Sequence, residues 1–125
     1  MSNDRISKIV TALYTFFSGF TIPAYAEDSV PDDAILPYIT YQIAVPEWKG
    51  KTALYARVWY RSTSFEGISA KVGEIDEAIG EGVCVPVEGG AVYLYKETPF
   101  TQFMPQTGDL TLKCMYLSMS MLAHV

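Results

Sequence analysis

The sequence predicts an α+β fold: a mostly antiparallel sheet of about five strands with two amphipathic helices packed on it, in the order helix-β-β-helix-β-β-β. Two segments repeat apolar residues every three or four positions, which is the helical period. Several other runs alternate in the β-favouring residue types between turn signals. The chain has 125 residues, half of them apolar, so a single domain over residues 1–125 buries roughly two-thirds of its unfolded surface without a metal or disulfide scaffold.

The first helix is expected over residues 4–17, where Ile6, Ile9, Val10, Leu13, Phe16 and Phe17 form one apolar stripe. Ser2 or Asn3 caps its first turn, Asp4 suits the positive end of its dipole, and Ser18-Gly19 stops it. Residues 19–37 follow as an acidic, Pro-rich surface connector with Pro23, Pro31 and Pro37. It carries Glu27, Asp28, Asp32 and Asp33, and no Lys or Arg stands between Lys8 and Lys49.

The sheet and second helix are expected over residues 38–122. Tyr38 to Val45 reads as the first strand, and Glu47-Trp48-Lys49-Gly50-Lys51 as the turn of an antiparallel hairpin. Thr52 to Ser64 is the second strand, with Leu54, Ala56, Val58 and Tyr60 on one face and Tyr55, Arg57, Trp59 and Arg61 on the other. On that second face the arginines are expected as cation–π partners of Tyr55 and Trp59. The second helix spans 69–79, with Ile68, Val72, Ile75 and Ile79 at helical spacing, and stops at Gly80.

Gly82 to Val87 reads as a strand that Pro86 consigns to an edge or a bulge. Glu88-Gly89-Gly90 turns it into a strand from Ala91 to Lys96, and the last strand runs from Asp109 to Leu122. Between these two, Thr98 to Gly108 is expected to be an apolar loop holding Phe100, Phe103 and Met104, the kind of exposed cluster that marks a contact surface. Met115, Met119 and Met121 read as adaptable core or interface filler.

The chemistry of catalysis is sparse. His124 is the only histidine and lies one residue from the C-terminus, which leaves no histidine-based triad or metal site. Asp32-Asp33 and Asp76-Glu77 are sequence neighbours that read as solvating charges. No glycine-rich phosphate loop, serine elbow or zinc-ligand spacing occurs. The expectation is therefore no catalytic residue, no cofactor and no metal. With nine basic against fourteen acidic residues and a net charge of -5, a dedicated nucleic-acid binder is disfavoured.

Two readings of the N-terminus compete. Arg5 to Ala26 imitates a secretory signal closing in Ala24-Tyr25-Ala26, but Thr11, Thr15, Ser18, Gly19 and Thr21 break its apolar run. The helix is the reading adopted, with no membrane-spanning stretch. Cys84 and Cys114 are expected as two buried thiols rather than a disulfide.

The order of parts, with Ile22-Pro23-Ala24-Tyr25, then Leu36-Pro37-Tyr38-Ile39-Thr40-Tyr41, then Val58-Trp59-Tyr60-Arg61-Ser62 and the second helix, resembles the small tail-terminator or tail-completion proteins of long-tailed (siphovirus-type) bacteriophages and prophages. The resemblance implies a non-enzymatic structural protein of the virion tail, present in the host cytoplasm during assembly. It would form a six-fold ring with copies of itself on the head-proximal end of the tail tube. Its partners would then be the tail tube protein and the head–tail connector protein, with DNA passing through the lumen unbound.

Such a ring needs two different complementary patches on each subunit. Phe100, Phe103 and Met104 are the candidates for one, and Tyr25 or Trp48 for the other. Net acidity suits a lumen that must not grip phosphate. The nearest alternatives are a head–tail connector or tail-tube subunit. Another, of a different class, is a secreted small-ligand-binding protein with the first 26 residues removed and Cys84 bonded to Cys114.

Overall fold

Ile9, Ala12, Leu13 and Phe17 recur on one side of the first helix, α1 (Ser2–Phe17), and all are buried. In the computed structural model, which describes residues 2–42, 50–104, 106 and 108–125, this stripe faces the concave side of a six-stranded sheet. Ile6, expected in the stripe, is exposed at its margin. The ring of Phe17 stacks on Tyr41 with centroids 4.9 Å apart, tying the helix to the sheet.

The helix does not stop at Gly19. A 3-10 turn over Ser18–Phe20 carries the chain on and buries Phe20, and the left-handed residue is Thr21, with φ of 66°. That conformation is unfavourable for a β-branched residue. It is held by the buried ammonium of Lys71, which donates to the Phe20 carbonyl at 2.6 Å and the Thr21 hydroxyl at 3.1 Å and pairs with Glu74. The second helix, α2 (Glu66–Ile79), supplies this lysine and buries Ile68, Val72, Ile75 and Ile79 as expected. It begins earlier than residue 69, where the Ser64 hydroxyl accepts the Glu66 amide hydrogen at 3.0 Å.

The strands are β1 (Ala24–Ala26), β2 (Tyr38–Tyr41), β3 (Thr52–Arg61), β4 (Val83–Val87), β5 (Gly90–Phe103) and β6 (Leu112–His124). They lie in the order β1-β2-β3-β6-β5-β4, antiparallel except that β1 runs parallel to β2. The α+β class is as expected, but the sheet is mixed and has six strands rather than about five. The additional strand lies inside the connector, where Ala24 pairs with Ile39. Because α1 touches both edge strands, β1 and β4, the sheet curls around it.

The alternation in β3 holds, and the last strand, expected from Asp109 to Leu122, runs from Leu112 to His124. Leu54, Ala56 and Val58 are buried on the core side beside Met115, Leu117, Met119 and Met121, so the methionines are core filler. Pro86 lies in β4 at the sheet edge, as its missing donor demands. The Gly89-Gly90 pair is required by space as well as by turning. Gly89 has φ of 78°, and a Cβ on Gly90 would stand 2.0 Å from the His124 carbonyl oxygen.

Two expectations are corrected in this region. The apolar segment after Lys96 is not a loop, because β5 runs through to Phe103, resuming its pairing with β6 at Thr101 after a register shift. The thiols also differ from expectation: Cys114 is buried, but Cys84 is exposed on the edge strand. Cys84 faces Tyr93 and, across it, Leu122, eight residues from Cys114 along β6. At about 3.4 Å per residue the two backbone positions are offset by roughly 27 Å along the strand direction, far beyond a disulfide.

Burial pushes the Cys114 thiol up to about 11 against a smaller opposing pull from Arg57. The fold favours its protonated form, so this contribution is complete below the ordinary value of 9.0 and is lost as pH rises through about 11. At neutral pH an alkylating reagent is expected to label Cys84 alone in the folded chain and both cysteines in denaturant, read as adduct count by intact mass. Two fast labels, or none, in the native chain would contradict this placement.

Candidate interaction surfaces

At one end of the sheet, the loop leaving β3, the start of α2, the end of β5 and the start of β6 meet. The Ser62 amide donates to the Thr111 carbonyl at 2.7 Å, and the Met104 amide to the Cys114 carbonyl at 2.9 Å, so backbone bonds fix the geometry. Asp109 clamps the turn before β6. Its carboxylate accepts from the Thr111 hydroxyl at 2.7 Å, the Thr111 amide at 2.9 Å and the Arg61 guanidinium at 2.6 Å. The Thr111 hydroxyl and then Arg61 hold this carboxyl well below the usual carboxylate range.

On this clamped frame sits an apolar groove of about 220 Å³, lined by Phe65, Phe103, Met104, Leu110 and Lys113 among others. Phe65 and Phe103 meet edge to face at 4.6 Å, yet remain 48% and 50% exposed. Met104 is 38% and Leu110 87% exposed. The Lys113 ammonium stands 4.7 Å from the Phe65 ring centre and donates to the Leu110 carbonyl at 2.5 Å. Large apolar side chains gathered in the open in this way make the groove a candidate contact surface.

The convex sheet face, opposite the helices, is aromatic. Tyr25 meets Tyr38 edge to face at 5.7 Å, and the Trp59 indole donates to the Thr40 hydroxyl at 3.0 Å. Tyr55 stacks on Tyr116 at 5.3 Å, and Arg57 lies over Tyr116 while pairing with Glu27. The cation–π partner of Arg57 is therefore Tyr116 on the neighbouring strand, not Tyr55 or Trp59, and Arg61 is committed to Asp109. Further along this face, an open cavity of about 440 Å³ lies between Lys51, Tyr55, Glu97, Pro99 and Ser118.

The five residues singled out from the sequence separate as follows. Phe103 and Met104 line the groove. Phe100 is half-buried, packs against the core and carries the Lys96 ammonium 5.7 Å from its ring centre, so it is a structural residue rather than a groove residue. Tyr25 is half-buried on β1, with β2, β3 and β6 between it and β5. Trp48 lies outside the described residues. Phe65, Leu110 and Lys113 also line the groove; sequence reasoning missed Phe65 because it comes from a distant segment that only the fold joins to Phe103, and Leu110 and Lys113 because they read as part of the last strand.

Among the described residues no group of three or more His, Cys, Asp or Glu is placed to hold a metal ion, and no helix is long and apolar enough to cross a membrane. What these surfaces define is an α+β domain with a preformed apolar groove at the end of a curled sheet. Compared with known proteins, the chain matches no protein-family model and no curated protein.

Proposed function

We propose that this chain is a structural assembly protein that forms a ring and caps the head-proximal end of a phage tail tube, joining it to the head connector. The observation that carries the reading is the groove of exposed Phe65, Phe103, Met104 and Leu110 on a hydrogen-bonded frame. A rigid apolar surface is suited to permanent protein contact. Tyr25 near the opposite sheet edge offers a second, different surface, which head-to-tail closure requires. The sequence resemblance to tail terminators supplies the rest: partners in the tail tube and head connector proteins, a place in the virion tail, and DNA in the lumen.

Native mass spectrometry with negative-stain imaging across a concentration series tests this, alone and with tail tubes. A closed ring of six subunits with a central hole is the expected result. A monomer at every concentration that also ignores tail tubes would overturn the proposal.

Two phenylalanine variants separate interface from core. Phe103→Ser is expected to impair assembly while leaving the melting temperature of the monomer within a few degrees. Phe100→Ser, at a partly buried ring packed on the core, is expected to lower it by removing about 1–3 kcal/mol of apolar burial. Equal melting temperatures for both would show that Phe100 is not part of the core.

A further inference from the structure

We propose that the groove receives the acidic connector of a second copy of this chain, with Ile35 as the side chain inserted. This inference rests on the ring reading and names the contact that closes it. Ile35 is 81% exposed, so it does not occupy the groove of its own chain. It lies three residues before Tyr38, which pairs with Trp59, while the groove residues Met104 and Cys114 sit on the same strand level, since Cys114 pairs with Trp59. Donor and acceptor surfaces therefore stand at one end of the sheet, with β3 between the strands that carry them. A closed ring, as opposed to an open helix, requires its two patches at one height along the axis, which holds here where the strands run along that axis.

Size and charge identify the occupant. A groove of about 220 Å³ is below the roughly 300 Å³ at which small-molecule sites begin, and matches one or two aliphatic side chains. Its lining carries Lys113, which no carboxylate pairs with among the described residues, and Asp109, whose charge Arg61 offsets. The connector brings Asp28, Asp32 and Asp33, all exposed and without a paired cation among the described residues. An apolar tip in an acidic segment thus meets an apolar groove whose uncompensated charge is the Lys113 ammonium, and a copy of the same chain provides both.

Ile35→Asp and Leu110→Asp alter exposed side chains, so both should melt with the parent chain while their rings dissociate at concentrations about tenfold higher or more. As a direct readout, an Ile35→Cys chain and a Leu110→Cys chain, both carrying Cys84→Ser, are mixed and oxidised. A disulfide joining the two different chains is expected, and neither chain should cross-link to itself with comparable yield. Rings that survive both Asp substitutions and give no mixed disulfide would overturn this contact while leaving the ring reading in place. A parent chain that never associates, with or without tail tubes, would overturn both.

Discussion

Val58→Asp is expected to abolish cooperative folding. Val58 is fully buried on the core face of β3, paired with Ile39 on one side and Met115 on the other, and the helices cover that face. Among the described residues no cation in this core could meet the new carboxylate: Lys71, the one buried lysine among them, is committed to Phe20, Thr21 and Glu74. An unpaired buried charge costs about 3–5 kcal/mol or more, against a total stability of about 5–15 kcal/mol for a domain. Circular dichroism during heating should show no sigmoidal transition, and the same is expected of Ile75→Asp on the facing side of α2. A normal melting curve from either variant would mean that the strand or helix register described above is wrong.

A chain beginning at Glu27 is expected not to fold. The segment that imitates a secretory signal contributes Ile9, Leu13, Phe17 and Phe20 to the core, as well as Ala24 on β1. Burial of one such large side chain stabilises by about 1.5–3 kcal/mol, so the four together supply about 6–12 kcal/mol. That is comparable to the whole net stability of a domain. The truncated chain should therefore show poor amide dispersion in an NMR spectrum and bind hydrophobic dyes, whereas the full chain does neither. A folded, monomeric product from Glu27 onward would support the secreted-binder reading instead. The separation of exposed Cys84 from buried Cys114 already removes the disulfide on which that reading relied.

Much of the architecture is legible in local pattern. The stripe of Ile68, Val72, Ile75 and Ile79 has the helical period, and every member is buried. The alternation along β3 and the edge position of β4 follow from a period of two and from the missing donor of Pro86. Three things were not legible. Ala24–Ala26 is too short to show an alternation, and it is a strand only because Ile39 stands beside it. Pro99 reads as a loop signal, yet the strand passes through it at a register shift where β6 does not need its amide. Lys71 carries no mark of burial, since its partners at Phe20 and Thr21 are 51 and 50 residues away.

The candidate site divides in the same way. Phe103 and Met104 stand out in the sequence as apolar residues in a segment rich in turn formers, and both prove exposed at the groove. Phe100, three residues earlier, looks equivalent and is not. By itself, the sequence determined which residues are apolar, at what period they recur, and hence the two helices, the principal strands and an acidic connector. Only the tertiary structure decided that Phe65, Phe103 and Leu110 form one groove, that Phe100 turns to the core, and that Arg57 lies over Tyr116. The reason is physical: periodicity encodes which face of an element is apolar, whereas contact between faces depends on strand order and register, which are set by burial summed over the whole chain.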